Sequence, residues 1–200
     1  MFQSHAGQDQ FVANMLGFKR DGYFLDIGSA TPVISNNTYF FESLNWSGIC
    51  IEIDGKDNFL YKQRKCFYVN ENALNLDYKK LFNEVGSPKE IDYLSVDIDT
   101  LSCELLTRLP FLDYLFKIIT IEHDAYLYGD LYKSKQKKIL EGNDYFLLCE
   151  NVFIEQHGYA QNSPFEDWWV HPKFFNYDFL NKIKSNNLSP SNIIEKFRLL

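Results

Sequence analysis

Cysteine is scarce in this chain, and its spacing argues against a disulfide framework. The 200 residues include four cysteines, Cys50, Cys66, Cys103 and Cys149, and no two of them form a CxxC pair. Cys50 and Cys149 lie inside apolar runs, where a cysteine behaves as a small hydrophobic residue. Unpaired cysteines are typical of a reducing compartment. We therefore predict a cytoplasmic protein without structural disulfides.

Long apolar runs and positive charge are also missing. No segment approaches the roughly 18 apolar residues that span a bilayer, and residues 1–5 show no cationic leader. We expect neither a membrane span nor a secretory signal. The net charge of -7 argues against a nucleic-acid partner, which normally meets a basic face. The basic cluster at 133–138 is interpreted as a solvated helix face, with a patch for a phosphorylated substrate as the alternative.

Apolar and aromatic residues are abundant, at 46% and 17% of the chain. A chain of this length and composition can bury a hydrophobic core without the support of disulfides or metal ions, so we expect one domain over residues 1–200. Short apolar runs alternate with helix-length segments. The predicted strands are 22–27, 48–53, 66–70, 91–97, 117–122, 145–149 and 151–155. The predicted helices are 8–16, 36–44, 58–64, 77–84, 102–106, 131–141 and 177–184.

The order of these segments predicts the fold class. Near-continuous apolar runs indicate strands that are covered on both faces, as in a parallel sheet. Five αβ repeats followed by two tightly joined strands predict an α/β fold with an open, doubly wound sheet. We expect about seven mostly parallel strands, an antiparallel hairpin at 145–155, and helices on both faces. Ligands of such sheets bind beyond the carboxyl ends of the strands.

Acidic and polar residues occupy those predicted strand ends. Helix capping explains any one of them, but five such ends on one edge of a sheet indicate a ligand site. These strand-end residues are Asp26 and Gly28, Glu52 and Asp54, Glu71 and Asn72, Asp97 and Asp99, and Glu122, His123 and Asp124.

The turn after the first strand favours a methyl donor over a dinucleotide. A dinucleotide site needs G-x-G-x-x-G so that a pyrophosphate can approach a helix N-terminus. The turn here reads GSATP over 28–32, and Asp26 would repel a pyrophosphate. S-adenosylmethionine has no phosphate and carries a positive ammonium and sulfonium, which carboxylates attract. Glu52, at the second strand end, suits the two ribose hydroxyls.

Several segments together resemble the FkbM family of methyltransferases. They are SHAGQDQFV at 4–12, GYFLDIG at 22–28, NTY at 37–39, WSGICIE at 46–52, DYLSVDID at 92–99, ITIEHD at 119–124 and FEDWWV at 165–170. The resemblance implies a class I, Rossmann-like methyltransferase fold with S-adenosylmethionine as the donor. It also implies methylation of hydroxyl oxygens, often on sugars or polyketides. Ala30 and Pro32 stand where class I methyltransferases commonly have glycines.

The resemblance also assigns donor-binding residues along the chain. Asp26, Gly28 and Ser29 would line the amino-acid end of the donor. Glu52 would bind the ribose hydroxyls, and Ile53 would pack on the adenine. The remaining implied positions are Asn72 and Ala73 at the adenine edge, Gln8 and Asp9 closing the site, and Asp97 bordering the donor.

Acids and a histidine lie at the predicted ends of the fourth and fifth strands. Methyl transfer to an alcohol needs a base that removes the hydroxyl proton, or a metal that lowers the pKa of the hydroxyl, and these residues suit either role. Neighbouring strand ends lie about 5 Å apart, so Asp97, Asp99, His123 and Asp124 can converge. In one hypothesis they hold Mg²⁺ or Mn²⁺. In the other, His123 is the general base and Asp97 or Asp99 orients its ring. In a structural alternative, Asp99 caps a helix and His123 fills a hydrogen-bonded gap.

Aromatic residues beyond the fifth strand are candidates for the acceptor site, because aromatic faces stack on sugar C–H surfaces. A core role is the alternative for Trp168, and a surface loop position is the alternative for His157. Arg108 and Lys133 would meet a diphosphate if the acceptor is a nucleotide sugar. Residues 151–200 are expected to form a wall of this site. The predicted acceptor contacts are Tyr126, Tyr128, Trp168 and His171.

Taken together, these observations predict an S-adenosylmethionine-dependent O-methyltransferase. The resemblance favours a sugar hydroxyl, in surface polysaccharide biosynthesis of the capsule or lipopolysaccharide type or in its nucleotide-sugar precursor. Two alternatives stay open: a methyltransferase of another small hydroxylated metabolite, and a non-catalytic binding module on the same fold. A homo-oligomer is compatible with the sequence.

Overall fold

The computed structural model describes residues 1–153 and 163–198. Eight strands and eight α-helices alternate along these residues. The strands are β1 Tyr23–Ile27, β2 Ser47–Glu52, β3 Phe67–Asn70, β4 Glu90–Val96, β5 Leu115–Glu122, β6 Phe146–Phe153, β7 Pro164–Val170 and β8 Ser185–Asn186. The helices are α1 Gln8–Met15, α2 Asn58–Tyr61, α3 Tyr78–Glu84, α4 Ser102–Arg108, α5 Ala125–Tyr128, α6 Lys133–Glu141, α7 Tyr177–Ile183 and α8 Pro190–Arg198.

The strands form one sheet in the order β3-β2-β1-β4-β5-β7-β6-β8. Strands β1 to β5 run parallel to one another, and β7 runs antiparallel to both β5 and β6. The order reverses between β1 and β4, which is where doubly wound sheets bind ligands. The predicted α/β class, the open mostly parallel sheet and the antiparallel C-terminal strands are therefore confirmed, with eight strands rather than seven.

The antiparallel pair lies at a different place from the predicted hairpin. The apolar runs at 145–149 and 151–155 are not two strands, because Phe146–Phe153 forms the single strand β6 with irregular register at three points. The polar pair Glu150 and Asn151 mimics a turn in the sequence, and Asn151 has a left-handed φ of 56°. The partner of β6 is β7, which inserts between β5 and β6.

Alternating side chains of the strands fill two apolar layers, one on each face of the sheet. Leu25 of β1 lies in the layer formed with α3, α4 and α6, and Phe24 lies in the layer formed with α1, α7 and α8. Helices therefore cover both faces, as the continuous apolar runs predict. None of the helices within 1–153 and 163–198 is both long and apolar enough to cross a lipid bilayer.

Candidate active site

A cleft of about 320 Å³ lies at the carboxyl edge of the sheet, the edge where β1 to β5 end. The parallel register brings the ends of β1, β2 and β4 side by side, because Ile27 pairs with Ile51 on one side and with Val96 on the other. The lining comes from the loops after β1 to β4. Its residues are Gly28, Ala30, Ile51, Glu52, Ile53, Glu71, Asn72, Ala73, Asp97, Ile98, Asp99 and Leu101.

Gly28 lies where the chain turns out of β1, and no other residue type fits there. Its φ is +79°, and a Cβ built on it would lie 1.7 Å from the carbonyl oxygen of Asp97. The backbone N–H of Gly28 donates to the carbonyl oxygen of Ile51 at 2.9 Å. The ends of β1, β2 and β4 therefore close on one another at this glycine, which leaves open backbone facing the cleft.

Glu52 at the end of β2 is held in place by its neighbours' backbone. One carboxylate oxygen accepts the N–H of Ala30 and the other accepts the N–H of Asp54, both at 2.8 Å. Ala30 has a left-handed φ of 45°, which aims its N–H across the cleft mouth. A carboxylate fixed in this way keeps free lone pairs for a diol. Glu52 is thus presented to the cleft, at the position predicted for the ribose hydroxyls.

Two of the predicted donor residues lie beneath the cleft instead of lining it. Asp26 is buried and accepts the hydroxyl of Thr38 at 2.8 Å. Burial raises the pKa of Asp26 to about 6, against the lowering effect of the Thr38 hydrogen bond. Ser29 is also buried, and its hydroxyl accepts that of Tyr61 at 2.7 Å. These side chains stabilise the loop after β1. The Asp26 carboxylate does not line the cleft in which the donor is expected to bind.

The opposite end of the cleft is less polar and lies next to the loop after β3. Ile53 is 67% exposed, an unusual state for an isoleucine, and its side chain lines the cleft. Ala73 and Asn72 face it from the neighbouring loop, and the Asn72 carboxamide oxygen caps the following turn at Leu74. An apolar surface flanked by an amide suits a purine ring. The predicted residues Ile53, Asn72 and Ala73 therefore lie together.

Four carboxyl groups gather where β4 and β5 end. Ligand atoms of Asp99, Glu122 and Asp124 lie within 4.8 Å of one another. Asp97 lies against Glu122, and burial raises the pKa of both groups. The effect is greatest at Glu122, because desolvation acts there together with the neighbouring carboxylates Asp97 and Asp124. The raised pKa favours the protonated form of Glu122, and the cluster presents carboxyl oxygens that a cation could bind.

His123 does not join this cluster, and its assignment as general base or metal ligand stays a prediction. Successive residues of a strand face opposite sides of the sheet, so Glu122 and His123 point apart. His123 is buried; its Nδ1 accepts the N–H of Ala125 at 3.1 Å and its Nε2 lies 3.4 Å from the Asp167 carboxylate. Both ring nitrogens face protein groups, as in the gap-filling alternative, although Nε2 has no hydrogen-bond partner among the described residues.

Two of the predicted acceptor contacts lie away from the cleft. Trp168 is fully buried in β7 and stacks on Phe11, with the ring centroids 4.2 Å apart. The backbone N–H of His171 donates to the carbonyl oxygen of Lys117, near the start of β5. Five residues of strand, about 16 Å, separate that point from the carboxyl edge. His157 falls outside the described residues.

The other aromatic candidates lie near the carboxylates. Tyr126 and Tyr128 belong to α5, which begins directly after Asp124. Tyr126 packs against Ala6 and Phe165, whereas Tyr128 is partly exposed and makes an edge contact with the ring of Tyr132. Tyr128 is therefore the better placed of the two for an acceptor.

The N-terminal segment reaches the carboxylates through a hydrogen-bonded pair, Gln8 and Glu166. Glu166 is not among the residues that the sequence predicts. Gln8 is buried, accepts the N–H of Ala6 and donates to Glu166 at 3.2 Å. Glu166 pairs directly with Glu122 across β5 and β7. Burial raises the pKa of Glu166 to about 8. Gln8 thus lies behind the carboxylates and positions the N-terminal segment, and Asp9 is occupied by hydrogen bonds to Ser4.

Replacing Glu166 by glutamine is expected to stabilise the protein increasingly as pH rises from 5 to 8. The carboxyl titrates near its ordinary value when unfolded and near 8 when folded, so the folded state loses stability as pH rises between these values. The Glu166→Gln substitution removes that cost while keeping an acceptor for Gln8, a gain of about 4 kcal/mol at pH 8. Urea denaturation at pH 5, 6.5 and 8 measures it.

The exposed Glu141→Gln is the matched control and should change the free energy of unfolding by no more than about 0.5 kcal/mol at every pH. A Glu166→Gln protein that tracks wild type across the pH range would contradict the burial argument.

The basic residues suggested for a diphosphate are engaged elsewhere. Lys133 binds Glu150 at 2.9 Å and the Asn151 side chain at 2.6 Å. Arg108 binds Glu104 and the carbonyl oxygen of Leu74, both at 2.6 Å. Neither cation lines the cleft, and the twelve lining residues include no lysine or arginine.

Comparison with known proteins identifies the fold. No protein-family model matches the sequence, and a search of curated proteins finds no relative. Solved structures do match. A candidate O-methyltransferase from Klebsiella pneumoniae is 11% identical with a TM-score of 0.57, covering 83% of this chain and 80% of that one. A TehB-like S-adenosylmethionine-dependent methyltransferase from Corynebacterium glutamicum is 12% identical with a TM-score of 0.55, covering 82% and 87%.

A third match, a candidate RNA methyltransferase from Pyrococcus horikoshii, is 11% identical with a TM-score of 0.51, covering 83% of this chain and 82% of that one. The chain thus has the class I methyltransferase fold. The names of the matched proteins from Klebsiella pneumoniae and Pyrococcus horikoshii describe different kinds of acceptor, so the shared fold does not select an acceptor for this chain.

Proposed function

We propose that this chain is a single-domain, cytoplasmic S-adenosylmethionine-dependent methyltransferase. The observation that carries the proposal is the pairing of Gly28 and Glu52 across one cleft, with open backbone on one side and a fixed carboxylate on the other. The exposed Ile53 continues the same cleft toward the position of an adenine. Carboxylates line the cleft where a dinucleotide would need its pyrophosphate, which supports a cationic donor over a nicotinamide cofactor.

We further propose that the acceptor is a hydroxyl, and that of a sugar in surface polysaccharide biosynthesis. The resemblance of seven segments to the FkbM family supports this choice, as does the presence of acids beside the cleft. A hydroxyl needs a proton acceptor, and burial raises the pKa of Asp97 above its ordinary value, which makes it a stronger base. Asp97 lines the cleft and lies against Glu122, so it is the candidate base in place of His123.

S-adenosylmethionine supplies the methyl group from its sulfonium when bound. The residues of this chain would hold the reaction in line: Glu52 fixes the ribose, and the open backbone at Gly28 admits the amino-acid end. Asp97 takes the proton of the acceptor hydroxyl as the oxygen attacks. Glu122, whose pKa is raised by burial and by its carboxylate neighbours, would donate a hydrogen bond to Asp97 and keep that carboxylate oriented.

A divalent cation is a second way to activate the hydroxyl, with a ligand set that differs from the predicted one. Asp99, Glu122 and Asp124 converge, whereas His123 does not. Three carboxylate oxygens are the ligands that Mg²⁺ and Mn²⁺ prefer. A cation there would ionise Glu122 and offset the repulsion among the acids. This route would be established over Asp97 acting alone if methyl transfer requires Mn²⁺ and if Mn²⁺ no longer restores activity in the Glu122→Gln variant.

Calorimetric titration with S-adenosylhomocysteine and S-adenosylmethionine tests the proposed function. We expect micromolar binding of both, and no binding of NAD⁺, because the cleft offers no pyrophosphate site. The same titration after EDTA treatment, with Mn²⁺ restored, separates donor binding from any cation effect. Absence of donor binding under every condition would reject the enzyme and favour a binding module on this fold.

A further inference from the structure

Exposed apolar side chains lie on the two chain segments that follow the carboxylates Asp99 and Asp124. Leu101, Leu127, Tyr128 and Leu131 are each between 45% and 57% exposed. Singly exposed apolar residues are ordinary, but a group of four beside a candidate active site is a sign of a ligand surface.

Two chain segments carry these side chains and flank the carboxylates directly. Leu101 follows Asp99 by two residues and lines the cleft itself. The other three belong to α5, which begins directly after Asp124, and to the turn that follows α5. The Sγ of Cys103 contacts the carbonyl oxygen of Tyr132 at 3.3 Å, which joins the two segments. We call the four side chains the apolar rim.

The charge of the same region argues against a phosphorylated acceptor. Asp97, Asp99, Glu122 and Asp124 place four carboxyl groups next to the rim, while Arg108 and Lys133 are paired with other residues. A diphosphate beside these acids would meet more like charge than Lys135, whose Nζ lies 5.9 Å from the centroid of the Tyr132 ring, can offset. The acceptor that fits has an uncharged polar end at the carboxylates and an apolar portion on the rim.

We propose that the acceptor is an uncharged sugar carried on an apolar group, such as a lipid-linked or aromatic glycoside, and that it is not a nucleotide sugar. This inference rests on the proposed function, and it assigns the rim to the apolar group. The polar end reaches Asp97 in the cleft, and the apolar portion leaves the site over Leu101 toward Leu127 and Leu131.

Binding of n-alkyl β-D-glucosides, measured by NMR titration below their micellar concentrations, tests this inference. The headgroup stays constant from butyl to octyl, so the trend reports the apolar portion alone. We expect affinity to rise about threefold per added methylene, close to the value for a methylene leaving water. The double variant Leu127→Ser/Leu131→Ser should lose most of this dependence. Leu112→Ser, at a 99% exposed leucine just before the start of β5, should retain it.

The inference is overturned if chain length has no effect, or if the double variant keeps the wild-type dependence. It is also overturned if UDP-glucose, with or without Mn²⁺, binds more tightly than octyl glucoside. The titrations are run with and without S-adenosylhomocysteine. Failure of S-adenosylhomocysteine to bind would reject the proposed function, whereas a flat alkyl series beside normal S-adenosylhomocysteine binding would reject the rim alone.

Discussion

Replacing Glu52 by alanine should weaken S-adenosylhomocysteine binding by at least about 100-fold. A carboxylate that accepts two ribose hydroxyls contributes about 1.5–3 kcal/mol through each hydrogen bond. Glu52 is already oriented by the N–H groups of Ala30 and Asp54, so its oxygens lose little freedom on binding. Glu52→Gln keeps one oxygen acceptor and should lose roughly tenfold. Isothermal titration calorimetry measures both dissociation constants.

Asp54→Asn is the matched control for this experiment. Asp54 lies two residues further along the same loop and carries an exposed carboxylate that pairs with Lys56, outside the cleft lining. Its substitution keeps the backbone N–H that Glu52 accepts, so S-adenosylhomocysteine binding should stay within about threefold of wild type. Equal losses in Glu52→Ala and Asp54→Asn would indicate a general charge effect, and the ribose assignment would be wrong.

The strand ends could be predicted from the sequence because each is a buried apolar run that stops at a polar residue. Parallel strands covered on both faces leave this signature locally, without knowledge of their partners. This signature indicates Glu52 and Asn72, the resemblance adds Ile53 and Ala73, and the structure brings all four to one cleft. The placement of these residues depends on strand order only at one point, where the order of the sheet reverses between β1 and β4.

The side of the sheet that a strand-end residue faces could not be predicted in the same way. Glu122, His123 and Asp124 are consecutive, and the pleat sends the first two to opposite faces. Asp124 has a left-handed φ of 50°, which turns its carboxylate back toward Asp99. Sequence spacing therefore located the right strand end but selected the histidine over the glutamate.

Trp168 shows a second limit, which comes from long-range pairing. The run at 164–170 alternates too little to separate a surface wall from a central strand, and its partners β5 and β6 both lie well before it in the chain. Only the insertion of β7 between them makes Trp168 a core residue. The same pairing sets Glu166 against Glu122, so the missed acid and the misassigned tryptophan have one cause.

Replacing Gly28 by alanine should abolish S-adenosylhomocysteine binding and lower the melting temperature by about 6–12 °C. Two costs add at this residue: the left-handed φ of +79° and the overlap of a Cβ with the carbonyl oxygen of Asp97 at 1.7 Å. Relief requires β1 to move away from β4, which breaks the hydrogen bond from the Asp97 N–H to Ile27 at 2.9 Å. A loss of about 3 kcal/mol corresponds to that shift for a chain of this size.

Gly86→Ala separates the two costs, because Gly86 has a similar φ of +70° but no atom within 4 Å of the position that a Cβ would occupy. Its substitution should cost about 1 kcal/mol from backbone strain alone, and S-adenosylhomocysteine binding should be unchanged. Thermal denaturation followed by circular dichroism gives the stability, and calorimetry gives the affinity. If the two variants lose equal stability, the close approach of β1 and β4 is not what requires glycine. If Gly28→Ala binds S-adenosylhomocysteine as wild type does, the cleft at Gly28 is not the donor site.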